Sequence, residues 1–132
     1  MKKKVLMIDD DEELCEEMAE ILRDEGYRVA MAFDGSRGKG LVEKYDYDLL
    51  ILDVKMPGLS GLDILERVKE QNMELKVIIL TGKPLSRSLE GEKSFKDKED
   101  DILELADEII GKPFDVKILL NKIKELLDKT RA

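Results

Sequence analysis

Four short apolar runs, at residues 5–8 (VLMI), 49–52 (LLIL), 77–80 (VIIL) and 109–110 (II), carry no alternation between apolar and polar side chains. A strand with one wet face alternates, whereas a run without alternation suits a strand covered on both faces. A weaker strand is expected over residues 27–32, after Gly26. Between the runs lie stretches that gather apolar residues on one helical face: Leu14, Met18, Ile21 and Leu22 in the first, and Val116, Leu119, Leu120, Ile123, Leu126 and Leu127 in the last. Strand and helix alternate five times along the chain. That order predicts a parallel sheet whose right-handed crossovers lay helices on both faces, an α/β domain. A length of 132 residues suits one such core and is short for two, so residues 1–132 are read as a single domain. The helix expected over residues 36–45 carries Gly38 and Gly40, each weakening it by about 1 kcal/mol relative to alanine. Residues 82–98, with Pro84, Ser86, Ser88, Gly91 and Ser94, are expected to form a long loop before a helix through Ile102 and Leu105.

Charge narrows the partners. With 41% charged residues and a net charge of −8, broad attachment to nucleic acid or anionic lipid is disfavoured. Proteins, phosphate donors and cations are the expected partners, with no nucleic acid and no membrane. Met1 and three lysines lead into only four apolar residues and then acids, which is neither a signal peptide nor a membrane span. A cytoplasmic location is expected. The chain has no histidine, so carboxylates, lysines and hydroxyls must carry any chemistry, and oxygen donors suit Mg²⁺ or Ca²⁺ better than Zn²⁺. The lone Cys15 allows no internal disulfide and, beside Leu14, reads as a small buried residue.

In an open parallel sheet, ligands bind beyond the carboxyl ends of the strands, where the strand order reverses. The first run is followed by Asp9, Asp10 and Asp11, the third by Asp53, the fourth by Thr81, and the fifth by Gly111, Lys112 and Pro113. If the first and third strands are neighbours, Asp9, Asp10 and Asp53 converge, and carboxylates that close repel unless a cation sits among them. Mg²⁺ binds through one or two carboxylates, waters and substrate phosphate oxygens. A phosphate compound is therefore the expected substrate. Asp11 and Glu12 read as a cap and a favourable charge at the start of the first helix. Pro57, Gly58 and Gly61 fit a turn into a helix that starts near Leu62.

The segments VLMIDDDEEL, LLILDVKMPGLSG, VIILTG and IIGKPF, in that order over roughly residues 4–128, resemble the motifs of a response-regulator receiver domain. The resemblance implies a flavodoxin-like, doubly wound sheet of five parallel strands in the order 2-1-3-4-5, with five helices. It implies that Asp53 accepts a phosphoryl group from the phosphohistidine of a histidine kinase or phosphotransfer protein. Asp10 would hold Mg²⁺ directly, Asp9 would support it through water, and the Lys55 carbonyl would complete the site. Thr81 and Lys112 would meet phosphoryl oxygens, with Lys112 paired to Asp53 before reaction. A cis Lys112–Pro113 bond would aim that lysine inward. Lys83 with Pro84 is a second Lys-Pro pair, but Lys112 follows the last strand and is preferred. The implied function is a phosphorylation switch that changes affinity for a downstream protein, catalysing nothing beyond its own phosphorylation and dephosphorylation.

Some features depart from that pattern. Ile109 stands at the switch position where receivers often place Tyr or Phe, and residues 82–98 make the spacing from Thr81 to Lys112 unusually long. Lys55 and Lys83, two positions after Asp53 and Thr81, are expected to alter the lifetime of the phosphoryl group. The sequence ends with the helix carrying Leu119 and Leu127, so a stand-alone receiver or a fragment of something larger is expected, and the 98–127 face is a candidate homodimer surface. Two rival readings are a receiver-like binding module that is never phosphorylated and, less favoured, an aspartate-nucleophile phosphatase using Asp9 and Asp11, which leaves Asp53 without a role.

Overall fold

A computed structural model describes residues 2–54, 60–82 and 101–128 of the chain. Its strands are β1 (Lys4–Ile8), β2 (Arg28–Ala32), β3 (Leu49–Asp53), β4 (Lys76–Thr81) and β5 (Glu108–Gly111). They pair in parallel in the order β2-β1-β3-β4-β5, as the resemblance implied. The helices are α1 (Glu12–Asp24), α2 (Gly35–Lys44), α3 (Gly61–Gln71), a turn of helix at residues 101–103 taken as α4, and α5 (Val116–Asp128).

The missing alternation in the apolar runs has its cause here. Successive strand residues point to opposite faces. Val5, Met7, Leu49, Ile51, Ile78 and Leu80 face one core, closed by Cys15, Met18 and Leu22 of α1 and by Leu119, Ile123 and Leu127 of α5. Leu6, Ile8, Leu50, Leu52, Val77 and Ile79 face a second core, closed by Ile64, Leu65 and Val68 of α3 and by Leu103 of α4. Both faces are dry, so both sets must be apolar.

Element ends differ from the sequence expectation by a residue or two, for local reasons, and the helix expected through Ile102 and Leu105 ends at residue 103, with Leu105 in the turn that follows. Tyr27 belongs to the turn out of α1 rather than to β2: its N–H donates to the Leu22 carbonyl at 3.0 Å, and Gly26 before it has φ +98°, a conformation suited to glycine. Asp34 caps α2, its side chain accepting from the Arg37 N–H at 2.8 Å, so the helix begins at Gly35. Ser60 caps α3 in the same way, accepting from the Leu62 N–H at 3.1 Å. Gly38 sits where α2 crosses Ile8; a Cβ there would come within 2.6 Å of the Ile8 side chain. Gly40 has open space around it. The loop expected over residues 82–98, apart from Gly82, lies outside the described residues.

At the sheet's amino-terminal edge lies a contact the sequence did not announce. Lys69 of α3 is buried and donates to the Leu75 carbonyl at 2.8 Å, to the Met73 carbonyl at 3.3 Å and to Asp107 Oδ2 at 2.8 Å. The same Asp107 oxygen accepts from the Val77 N–H at 2.8 Å. One lysine thus joins α3, the turn into β4, β4 itself and the entrance to β5. Among the described residues no helix is long and apolar enough to cross a membrane.

Candidate functional site

Strand order reverses at β1: from it the chain passes to β2 on one side and to β3 on the other. Ile8 pairs with Leu52, so the residues that follow them, Asp9 and Asp53, emerge side by side at the carboxyl edge. One oxygen each from Asp9, Asp10 and Asp53 lies within 4.8 Å of the others. The three differ in setting: Asp9 is fully buried, Asp53 is 6% exposed, and Asp10 is open to solvent. The sequence expectation that these acids converge holds.

Asp9 is oriented from several directions. Its N–H donates to the Ala32 carbonyl at 3.1 Å, its Oδ1 accepts from the Asp11 N–H at 3.0 Å, and its Oδ2 accepts from Lys112 Nζ at 2.6 Å. Lys112 Nζ stands 3.7 Å from Asp53 Oδ2. Lys112 thus pairs with Asp53, as the resemblance implied, and more closely with Asp9. Both carboxylates are buried, the Asp9 side chain fully and that of Asp53 to within 8%, so each gains from the lysine's charge. Burial disfavours the Lys112 ammonium, but the hydrogen bond and charge of Asp9, with Asp53 and Asp10 behind it, outweigh that and hold its pKa above the usual lysine value. The lysine remains charged at neutral pH.

Lys112 is placed by β5 and the loop after it. Its N–H donates to the Thr81 carbonyl at 2.7 Å, which continues the β4–β5 ladder one residue past the Thr81 to Gly111 pair. The Lys112–Pro113 peptide is cis. Thr81 is 8% exposed and follows Leu80, the β4 partner of Asp53, so it closes the same edge of the pocket. Ile109, paired with Ile79, is half-buried on the face covered by α3 and α4. Asp11 caps α1, its side chain accepting from the Leu14 N–H at 3.0 Å, which is the role read for it. Lys55, Pro57, Gly58 and Lys83 lie outside the described residues.

Cys15 is buried, as its neighbours suggested, but its hydrogen bond could not be read from sequence: Sγ donates to the Asp9 carbonyl at 3.4 Å. Burial first, then the charges of Asp9 and Asp11, push the thiol up to about 12. It is a neutral prop under the acidic turn and not a nucleophile.

Three carboxylates against one ammonium leave a formal charge of 1 − 3 = −2 in the pocket. The donors are all oxygens, and the exposed one offers a way in from solvent. Such a set fits a hard divalent ion such as Mg²⁺, which keeps part of its water shell and shares phosphate oxygens.

The family model described as the response regulator receiver domain matches residues 5–124. Transcriptional regulatory protein DltR of Streptococcus agalactiae is 35% identical over 121 residues, covering 92% of this chain and 50% of that protein. DNA-binding response regulator MtrA of Mycolicibacterium smegmatis is 33% identical over 135 residues, covering 100% of this chain and 50% of that protein. The chain thus spans about half the length of the curated relatives it matches. Among solved structures, a CheY-like response regulator receiver domain protein from Methanospirillum hungatei superimposes with a TM-score of 0.83 at 31% identity, over 98% of this chain and 96% of that one. Response regulator TrrA from Thermotoga maritima, in complex with Mg²⁺ and BeF, gives a TM-score of 0.76 at 31% identity, over 94% of this chain and 98% of that one.

Proposed function

This chain belongs to the response-regulator receiver domain family, and on that premise we propose that it is a phosphorylation switch whose phosphoacceptor is Asp53. The observation that carries the reading is the convergence of Asp9, Asp10 and Asp53 around Lys112 at the strand-order reversal. A carboxylate is a competent phosphoryl acceptor, and catalysis of its phosphorylation consists mostly of alignment and charge neutralisation. An Asp53 oxygen attacks the phosphorus of a phosphohistidine on a kinase or phosphotransfer protein. The P–N bond breaks, its electron pair stays on the imidazole nitrogen, and that nitrogen takes a proton from solvent. Asp10 and Asp53 would hold Mg²⁺ directly, with Asp9 through water and the Lys55 carbonyl; the ion supplies neutralisation of the charge on the transferring oxygens.

The chain's own residues do the rest. Lys112 needs only a small swing from Asp9 to reach an oxygen of a group on Asp53, as a mobile point charge. The Thr81 hydroxyl serves another oxygen. Phosphorylation replaces a single negative charge by one of about −1.5 to −2 on the phosphate, and the pull on Lys112 and Thr81 acts on the ends of β4 and β5. Ile109, on β5 three residues before Lys112, is the readout position, an aliphatic one. With a net charge of −8, the receiver's own output is a changed affinity for a downstream protein in the cytoplasm rather than contact with nucleic acid. Ile118 of α5, 53% exposed, is available to a second copy at the 98–127 face. Beyond its own phosphorylation and dephosphorylation the domain turns over no substrate.

Phosphoramidate, a small donor with a P–N bond, tests the site directly. After incubation with Mg²⁺ and reduction with borohydride, peptide mapping should find homoserine in place of Asp53. Homoserine at another aspartate, or at none, would sink the assignment.

A further inference from the structure

The close approach of α3 to the phosphoacceptor strand points to a role for Gly61 beyond turn shape. A Cβ built at Gly61 would lie directly against the Asp53 carbonyl oxygen, with the Asp53 carbonyl carbon and Val54 Cα each at 3.0 Å. These are backbone atoms of the strand end that bears Asp53, so no side-chain rotation can relieve the contact. The case differs from Gly38, whose Cβ would meet the flexible Ile8 side chain, and from Gly40, around which the space is open. The first turn of α3 is also fastened there: the Gly61 N–H donates to the Val54 carbonyl at 3.3 Å, and Ser60 caps the helix by accepting from the Leu62 N–H at 3.1 Å. Strand β3 and helix α3 are therefore joined backbone to backbone immediately behind the Asp53 carboxylate.

We infer that Gly61 is a positioning residue for phosphoryl transfer: the missing side chain lets α3 seat against the Asp53 backbone and so fixes where the Asp53 carboxylate stands relative to Asp9, Asp10 and Lys112. The inference rests on the reading of Asp53 as phosphoacceptor. Asp53 Oδ2 stands 3.7 Å from Lys112 Nζ, and the displacement that a Cβ at Gly61 demands of the Asp53 backbone, about 1 Å, would move the carboxylate relative to that lysine. Misplacements of that order at a reacting centre slow catalysis steeply.

The test compares Gly61→Ala with the unsubstituted chain and with Asp107→Asn, a substitution at the opposite edge of the sheet that loosens the fold without touching the site. Phosphorylation by acetyl phosphate is followed at saturating donor and Mg²⁺, well below the melting temperature of each protein. Gly61→Ala should lower the maximal rate at least tenfold while Asp107→Asn leaves it within twofold. Equal rates in Gly61→Ala and Asp107→Asn would reduce Gly61 to a packing residue and overturn the inference. If the unsubstituted chain takes up no phosphoryl group, the reading of Asp53 fails instead, and the two failures are distinct. Should Gly61→Ala not fold even with Gly40→Ala added for stability, the amide resonances of the unsubstituted chain decide. Addition of Mg²⁺ and beryllofluoride should move Gly61 together with Asp53, and an unmoved Gly61 would overturn the inference.

Discussion

Replacing Asp107 by alanine removes the anion that Lys69 was buried against. Lys69 has a side chain only 4% exposed and keeps the Leu75 and Met73 carbonyls, but loses its counter-charge at 2.8 Å. The Val77 N–H loses its 2.8 Å acceptor in the same step. Removing one partner of a buried ion pair costs about 3–5 kcal/mol, and orphaning a buried N–H adds about 1–3 kcal/mol. Asp107 is 21% exposed, so water can enter its place and discount both contributions, leaving about 3 kcal/mol. With a urea m-value of about 1.5 kcal/mol/M the midpoint should fall by about 2 M. Asp107→Asn should cost less, because its side-chain oxygen can still accept from Val77. The double variant Lys69→Met with Asp107→Asn, which removes both charges and keeps that acceptor, should recover to within about 1 kcal/mol of the original. Urea unfolding followed by circular dichroism reads all three. A loss below about 1 kcal/mol in Asp107→Ala, or a double variant no better than Asp107→Ala, would refute the view that an uncompensated buried charge sets the cost.

Three further outcomes follow from the packing and the site. In thermal melts Gly40→Ala should gain about 1 kcal/mol from helix propensity, while Gly38→Ala should lose about 1–3 kcal/mol by pressing on Ile8. Lys112→Met should bind Mg²⁺ more tightly, since the pocket loses its resident cation, yet take phosphoryl from acetyl phosphate at least tenfold more slowly; titration calorimetry and mass spectrometry read the two effects, and a parallel fall in both would contradict the charge logic. Burial, then the charges of Asp9 and Asp11, push the Cys15 thiol from an ordinary value of 9.0 up to about 12 in the fold. The folded chain therefore keeps a proton that the unfolded chain releases, and stability should fall as pH rises from 9 towards 12, by about 1.4 kcal/mol per unit. Unfolding free energies of the chain and of Cys15→Ala, compared from pH 8 to pH 10.5, isolate that slope; parallel curves would count against it.

The parts of the fold legible in the sequence were those with local causes. Buried strands lack alternation because both faces are dry, and runs 5–8, 49–52 and 77–80 became β1, β3 and β4. Asp11 was read as a cap because capping is a contact three residues long. The acidic pocket was legible because a strand-order reversal brings together residues just past two strand ends, and these were acids. What stayed hidden depended on distant neighbours. Lys69 sits on an amphipathic helix where a lysine reads as surface, and its burial makes sense only with Asp107, 38 residues on. The glycines of α2 looked alike as helix-weakening residues, and only the crossing of Ile8 separates Gly38 from Gly40. That Lys112 stands nearer to Asp9 than to Asp53 depends on how the strand ends are placed, which no motif records.

The measurement that bears most directly on the switch is the intact mass of the protein after incubation with acetyl phosphate, with and without Mg²⁺, for the chain and for Asp53→Asn. A gain of one phosphoryl group that needs Mg²⁺ and vanishes in Asp53→Asn is the predicted result. No gain in either protein under a quench fast enough to trap an aspartyl phosphate, or an equal gain in both, would contradict it.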